Sequence, residues 1–296
     1  MARDGRSAVV FRRGPSKKVL VLRWWLDADR LEPGQWFNGR IYERRCDLSP
    51  DGDLLIYFAA KWQAPFETWT AVSRTPYLTA LALWPKGDAW GGGGLFETPR
   101  VIGLNHLEIK SPVIPGARKP GWHPLGDEPV KLPGFEVRRW SEEAAGRGED
   151  NPVHHERITR DGWIFVSEGD AGPYRQSGYA WLFNSPEIYD RPSPVNGLVL
   201  RRFLRAIYKK NGPWYVEDFE VLRDGARVRF IENCSWADWQ KNGDLLFALD
   251  GKLYRLATAK VQEPAQIPIE NAKLVADLAP LRFQNVVAPD WAKQWP

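Results

Sequence analysis

The sequence predicts an all-β protein built from repeated units, and three observations lead to this prediction. Short apolar runs of strand-like composition are separated by Gly, Pro, Asn-Gly and Asp-Gly turn signals about 8–12 residues apart, as in sandwiches, barrels and propellers. Few stretches show the periodicity of a helix. One turn pattern also occurs twice, as DLSPDGDLLIY at residues 47–57 and as DWQKNGDLLFA at residues 238–248.

Each copy of the repeated pattern predicts a β-hairpin. Asp-Gly and Asn-Gly fit type I′ hairpin turns, in which both central residues have positive φ, so we expect Gly52 and Gly243 in that conformation. The leading residues, Asp47 and Asp238, are expected to be buried and to accept hydrogen bonds from backbone N–H groups of a neighbouring turn. Related hairpins so far apart in one chain indicate a repeat architecture.

Turn signals divide the N-terminal part of the chain into successive strands. The first hairpin is expected to turn at Gly14-Pro15-Ser16, and the first repeat copy leads into the strand Leu54–Ala60. Ala and Leu in Leu78–Trp84 also allow a short helix, because both residues favour helices. The predicted strands of this part are residues 8–13, 18–25, 39–46, 54–60, 69–73 and 78–84.

The middle of the chain is less regular. Pro and Gly recur through residues 110–134 and predict a long loop, and residues 141–150 predict a charged loop or helical turn. A hairpin about Asp161-Gly162 is expected over Ile158–Ser167. The second repeat copy, residues 238–248, is followed by a turn at Asp250-Gly251, and the remaining predicted strands are residues 95–96, 101–104, 135–140, 179–184, 198–210, 214–222, 228–232, 252–256 and 281–287.

The pattern Asp-x-Ser-Pro-Asp-Gly-x-Leu-x-Tyr resembles the blade motif of WD-repeat and TolB-like β-propellers. The likeness to this motif is close for residues 47–57, fair for residues 238–248 and marginal for residues 156–165. The chain as a whole is also similar to bacterial proteins, but that similarity does not indicate a function. The resemblance implies a single propeller over residues 1–296, with five blades or, as the alternative, six. Pairing of an N-terminal strand with Leu281–Val287 would close the ring.

Composition narrows the classes of function. The 296 residues carry a net charge of +4 as scattered Arg and Lys pairs, which argues against a nucleic-acid partner because adjacent strand residues point to opposite faces. No apolar run reaches the roughly 20 residues of a membrane helix or has the pattern of a signal peptide, so a cytoplasmic protein is expected. The two cysteines lack metal-ligand spacing and are expected to be buried thiols.

Candidate binding residues fall into an aromatic set and a polar set. Sixteen Trp residues predict both inter-sheet packing and exposed anchors, and loop positions make Trp36, Trp90 and Trp122 the candidates for exposure. Imidazole, amide and carboxylate groups could bind a divalent metal or transfer protons if their loops converge. Adjacent histidines on a strand diverge, however, and no metal or other cofactor is predicted. The polar set is Asn105, His106, Glu108, His154, His155 and Glu156.

Two functions of different classes follow from these features. The first is a non-catalytic intracellular interaction module that binds a protein partner through its aromatic loops. The alternative is a propeller-type hydrolase, most plausibly a glycoside hydrolase, with a carboxylate pair about 5–10 Å apart at the channel mouth. Gly91–Gly94 is expected to be a flexible turn, because no Lys-Ser/Thr follows it as in a phosphate-binding loop. The candidate carboxylates are Asp47, Glu108, Glu156, Glu232 and Asp238.

Overall fold

A computed structural model describes residues 1–14, 17–106, 130–140, 151–261 and 271–296. Within these ranges the chain forms many β-strands and two short α-helices, which confirms the all-β prediction. The chain divides into two compact units, Met1–Arg157 with Arg282–Pro296 (unit 1) and Ile158–Leu281 (unit 2). A single closed propeller over the whole chain stays a prediction.

Sheet 1 of unit 1 is an antiparallel meander of three described strands. The first two strands pair from Ser7 opposite Trp25 to Arg13 opposite Val19, which confirms the predicted first hairpin. Two residues of its turn, Pro15 and Ser16, lie outside the described residues. The strands are β1 (Ser7–Arg13), β2 (Lys18–Trp25) and β3 (Arg30–Asn38), in that spatial order.

Sheet 2 follows directly in the chain. The predicted strand over residues 39–46 is wrong beyond Ile41, because Glu43–Arg45 form a 3₁₀ turn. Leu78–Trp84 is a strand and not a helix, since pairing with a neighbouring strand outweighs the helix propensity of Ala and Leu. The strands are β4 (Arg40–Ile41), β5 (Asp47–Leu48), β6 (Leu54–Ala60), β7 (Thr68–Arg74) and β8 (Ala80–Pro85). Their order is β4-β6-β7-β8, with β5 also beside β6.

Sheet 3 corrects part of the predicted loop at residues 110–134. Residues 107–129 lie outside the described residues, but Val130–Leu132 form a strand that turns through Gly134 at φ 74° into the next strand. The strands are β9 (Gly94–Thr98), β10 (Val101–Leu104), β11 (Val130–Leu132) and β12 (Phe135–Arg139), in the order β11-β12-β10-β9. The pairing between β10 and β12 is parallel.

The core of unit 1 places sheet 2 between sheets 1 and 3. Side chains alternate between the two faces of a strand, and on β6 Leu55 and Tyr57 pack in a cluster with Val19 and Val21 of sheet 1. The intervening Ile56 faces the other way, in a cluster that includes Phe96 of sheet 3. Every residue of β6 is therefore buried, which explains its continuous run of apolar residues.

A helix replaces the hairpin predicted over Ile158–Ser167. α1 spans Asn151–Arg160, and the chain leaves it through Gly162 at φ 94°. The Gly162 N–H donates to Thr159 O at 3.0 Å and the Trp163 N–H donates to Ile158 O at 2.9 Å, the two bonds of a Schellman motif. The marginal third copy of the repeat, residues 156–165, is therefore wrong, because its Asp-Gly dipeptide ends a helix.

Unit 2 contains sheets 4 and 5, which share one hydrophobic core. Phe219 and Val221 of sheet 4 pack in the same cluster as Leu245 and Phe247 of sheet 5. Sheet 4 comprises β13 (Ile164–Ser167), β14 (Asp170–Ala171), β15 (Tyr179–Pro192), β16 (Val199–Lys209), β17 (Tyr215–Arg223) and β18 (Ala226–Ile231). Its order is β13-β15-β16-β17-β18, with β14 beside β15. Sheet 5 comprises β19 (Trp236–Trp239), β20 (Leu245–Leu249), β21 (Lys252–Leu256) and, after α2 (Thr258–Val261), β22 (Lys273–Asp277), in chain order.

The two repeated turns share a conformation that differs from the predicted one. Gly52 and Gly243 have φ of 76° and 84°, as expected. Asp51 and Asn242, however, do not have positive φ, so neither turn is type I′. Their side chains instead accept the N–H of the residue two positions later, as in Asx turns, with N···Oδ1 distances of 3.0 Å in both copies.

The C-terminal segment, residues 282–296, packs on unit 1 without forming the predicted strand. Leu281–Val287 makes no ladder pairing with a described strand, and its Val286 O accepts a hydrogen bond from the side chain of Gln35, with Nε2 at 3.0 Å. The predicted closure by pairing of N- and C-terminal strands is therefore wrong for these residues. The segment does belong to the same unit as the N-terminal strands and ends with a 3₁₀ turn, Asp290–Lys293.

Candidate interaction surface

Of the three predicted Trp anchors, Trp90 is the exposed one among the described residues. It lies in the loop between β8 and β9 with 74% of its surface accessible, which confirms that at least one candidate is exposed. Trp36 lies on β3 and not in a loop, and its half-buried ring contacts Phe283 edge-on at 6.0 Å between centroids. Trp122 lies outside the described residues.

A second exposed tryptophan, Trp62, was not predicted from the sequence. It lies in the hairpin loop between β6 and β7, is 56% exposed and has φ of 56°, a conformation that is uncommon for a bulky residue. A signal for this loop was available, because Lys61–Glu67 contains Pro65 and separates two predicted strands.

The loops that carry Trp62 and Trp90 emerge at the same end of sheet 2. Pairing of Trp69 with Pro85 places the start of β7 beside the end of β8. Thr68 then joins the two loops: its carbonyl accepts the N–H of Lys86 at 2.9 Å, and its hydroxyl donates to Asp88 O. We call residues 61–67 and 86–90 together the Trp62–Trp90 surface.

A run of glycines fixes the Trp90 loop onto buried residues of sheet 2. Gly91, Gly92 and Gly93 have φ of 67°, 86° and 81°. A Cβ atom on Gly92 would lie 2.3 Å from the ring of Phe58, and the Gly93 N–H donates to Thr70 Oγ1 at 2.8 Å. The three glycines are buried, so this segment is tightly packed and not the flexible turn that the sequence predicted.

Arg45 holds the same segment from the opposite side. Its side chain is 1% exposed, and Nη1 donates to Gly91 O. The guanidinium also lies over the rings of Tyr42 and Phe58, with centroid distances of 4.7 and 4.9 Å. These cation–π contacts in a desolvated setting favour a single position for the arginine, and hence for the glycine segment that it binds.

Asn105 and His106 are brought to this loop but lie beneath it. Both are buried, at 0% and 1% exposure. The backbone of Asn105 bonds the glycine segment twice, accepting the Gly92 N–H at 2.7 Å and donating to Gly93 O at 2.9 Å. His106 Nε2 lies 2.8 Å from Thr70 Oγ1, the atom that also accepts the Gly93 N–H. Their observed contacts position the Trp90 loop.

His154, His155 and Glu156 lie on α1 and not on a strand. His154 is buried with Nδ1 3.2 Å from Arg157 Nη2, whereas Glu156 is exposed. The rings of His154 and His155 are 6.3 Å apart between centroids. No group of three or more His, Cys, Asp or Glu side chains in the described part of the chain has an arrangement that could hold a metal ion.

The two repeated aspartates are engaged with backbone donors. Asp47 Oδ2 accepts the Phe96 N–H at 2.9 Å, a bond from sheet 2 to the next sheet. Asp238 Oδ1 accepts the N–H of Trp239 at 2.8 Å and the Nε of Arg191 at 3.2 Å. Burial raises the pKa of Asp238, although the nearby Arg191 opposes this shift. Both residues are therefore buried and accept backbone N–H groups, as expected, but the donors Phe96 and Trp239 lie on strands and not in a neighbouring turn.

Of the remaining carboxylate candidates and the basic pairs, Glu232 and the pair Arg201-Arg202 lie in unit 2. Glu232 is exposed, and Glu108 lies outside the described residues. Arg201 Nε donates to Asp190 at 2.7 Å, and the buried Arg202 bonds Glu217 at 2.7 Å. Pairing within the sheet therefore neutralises positive charge that a nucleic-acid surface would need.

The thiols of Cys46 and Cys234 are buried, as predicted. Burial raises the pKa of each to about 12, so neither is a nucleophile near neutral pH. No helix in the described ranges is long and apolar enough to cross a membrane.

Comparison with known proteins does not assign the chain to a family. No protein-family model matches the chain, and no curated protein or solved structure shows significant similarity to it.

Proposed function

We propose that the five described sheets are the blades of a β-propeller. Each sheet uses one consecutive stretch of chain, and sheets 1, 2, 4 and 5 follow the antiparallel meander expected of blades. Face-to-face packing of sheet 2 between sheets 1 and 3 supports the proposal, as does the bond from Asp47 to Phe96 of the next sheet. The blade-like motif at residues 47–57 agrees with this arrangement.

We further propose that this propeller is a protein-interaction module that binds its partner through the Trp62–Trp90 surface. The observation that carries this proposal is the exposure of two tryptophans, 56% and 74%, on loops joined through Thr68. Trp is enriched among the residues that dominate interface energies, because it buries a large area at a small cost in conformational entropy.

The buried support of the Trp90 loop strengthens this proposal. Arg45, Thr70 and Asn105 fix the backbone that follows Trp90, so little conformational freedom is lost when a partner docks. Lys86 and Asp88 pair at 2.8 Å in the same loop, and Asp88 also accepts the Trp90 N–H at 2.8 Å, so charged groups lie close to Trp90 in the chain. No observation favours the glycoside hydrolase, because Asp47 and Asp238 are bound by backbone donors.

The proposal is tested by affinity capture from a lysate of the source organism, quantified by mass spectrometry. We compare the wild-type chain with Trp62→Ala, Trp90→Ala and the double variant, and with Val287→Ala as a control at a residue 77% exposed. The double variant should fold as the wild type does, and the amount of specifically captured partner should be at least tenfold lower. Equal capture by the double variant and the wild type would contradict the proposal.

A further inference from the structure

The edge strand of sheet 4, β13, exposes apolar side chains on both of its faces. Among the described strands, it pairs with β15 on one side and stands at the end of the strand order. Ile164, Phe165 and Val166 are 55%, 53% and 47% exposed. Because side chains alternate along a strand, Ile164 and Phe165 lie on opposite faces, and Val166 stands at the register shift that ends the regular pairing. Apolar surface therefore meets solvent above and below the strand.

This edge is held firmly in place despite its exposure. Trp163, immediately before it, is buried and contacts Phe219 edge-on at 6.4 Å between centroids. Gly162 fixes the entry to the strand through the Schellman bonds that end α1. Phe165 contacts the ring of Tyr189 on the adjacent β15 at 5.3 Å. A strand preorganised in this way loses little entropy when it is bound.

Natural proteins usually protect edge strands with charged side chains, with proline, or with a covering segment. The sequence of β13, Ile-Phe-Val-Ser, contains neither charge nor proline. A register shift between Phe165 and Ser167 ends its regular pairing with β15, so the available edge is short. An apolar, uncharged edge is open to pairing with a strand from another chain, and the shortness of β13 limits the length of the strand that it can receive.

We propose that β13 binds an extended segment of a partner protein, which adds to sheet 4 as a further strand. A strand is the occupant that fits, because a helix or a flat surface would cover only one of the two exposed faces. The acidic Glu168 and Asp170 that follow β13 are both exposed, so the partner segment has alternating apolar residues and a basic residue beyond them.

A second copy of this chain is a poorer occupant than a peptide segment. Pairing of two four-residue edges would bury far less than the roughly 1,200–2,000 Å² of a stable interface. This proposal concerns unit 2 and does not depend on the Trp62–Trp90 surface, so an experiment can refute one of the two proposals and leave the other standing.

The test uses a fluorescein-labelled peptide of alternating valine and threonine with lysine at both ends, titrated into the full chain and followed by fluorescence anisotropy. The control peptide has the same side chains but carries N-methyl groups on every backbone nitrogen between the terminal lysines, which removes the N–H donors of both of its edges. The unmodified peptide should bind, and the methylated peptide should bind at least tenfold more weakly. Equal binding of both peptides, or no binding of the unmodified peptide, would overturn the proposal.

Variants of the chain locate the binding. Ile164→Lys and Val166→Lys place charge on the edge at exposed positions. Each should weaken peptide binding at least tenfold, or by about 1.4 kcal/mol. Val195→Lys is the matched control, because Val195 is 55% exposed but lies in the loop between β15 and β16. The Val195→Lys variant should bind the peptide with the same affinity as the wild-type chain. Unchanged binding by both edge variants, or dimerisation of the wild type that Val166→Lys abolishes, would contradict peptide addition.

Discussion

Two glycines in the Trp90 loop allow the packing of that loop to be tested separately from its backbone conformation. Gly87 and Gly92 have nearly the same φ, 91° and 86°. A Cβ atom on Gly87 would meet nothing within 4 Å, whereas one on Gly92 would lie 2.3 Å from a ring carbon of the fully buried Phe58. Gly87→Ala therefore measures backbone strain alone, and Gly92→Ala measures strain together with overpacking.

The expected magnitudes differ enough to be resolved. An L-residue at positive φ costs about 1–2 kcal/mol, which is the full effect expected for Gly87→Ala. Overpacking in a tight core adds about 1–3 kcal/mol, so Gly92→Ala should lower the free energy of unfolding by about 2–5 kcal/mol. Urea unfolding followed by far-ultraviolet circular dichroism gives both values, provided that the m-value is unchanged.

A third substitution shows whether the ring is the cause of the additional loss. In a Phe58→Leu background the smaller side chain leaves room for a Cβ at position 92, so Gly92→Ala should cost about 1–3 kcal/mol less than it does in the wild type. Equal losses for Gly87→Ala and Gly92→Ala, or additive effects of Phe58→Leu and Gly92→Ala, would refute the described packing of this loop.

Three further predictions concern other parts of the structure. Asp47→Ala should cost about 1–3 kcal/mol by leaving the buried Phe96 N–H without an acceptor, and Asp47→Asn should recover about half of this loss in thermal unfolding. Deleting residues 282–296 should lower the melting temperature by several degrees, and an unchanged transition would show that their contacts on unit 1 do not contribute to stability. Both thiols, with pKa values of about 12, should resist Ellman's reagent at pH 8 until the chain unfolds. Between pH 9 and 12 only the unfolded state releases the thiol protons, so the free energy of unfolding should fall as pH rises, and less so in variants with Ala at Cys46 and Cys234.

The sequence predicted the strands well where turn residues bound an apolar run at both ends. Leu54–Ala60 is the strand β6 with the predicted bounds, because the Asp-Gly turn precedes it and a polar, Pro-containing loop follows it. The same reasoning wrongly predicted a hairpin at Asp161-Gly162, where the structure has the end of α1. A glycine at positive φ serves a hairpin turn and a helix C-terminus equally well, and the hydrogen bonds that distinguish the two are not visible in the sequence.

The candidate surface was only partly predictable for a related reason. Trp90 stood out because it precedes a run of glycines, but Trp62 was missed because its loop carries no Gly or Asn signal. Asn105 and His106 were selected for their chemistry, and the sequence did not indicate that the end of β10 is buried beneath the glycine segment. Burial of a polar residue depends on which sheet packs over it, and that information is tertiary.

Site-specific photo-crosslinking tests the proposed interaction surface most directly. The photoreactive residue p-benzoylphenylalanine replaces Gln63, which is exposed beside Trp62, and in a second chain it replaces the exposed Val287 as the control. Irradiation in a lysate should join a protein to position 63 and not to position 287, and Trp90→Ala in the same chain should abolish the adduct. An adduct that survives Trp90→Ala, equal adducts at both positions, or no adduct at position 63 would contradict the proposal that the Trp62–Trp90 surface binds a protein.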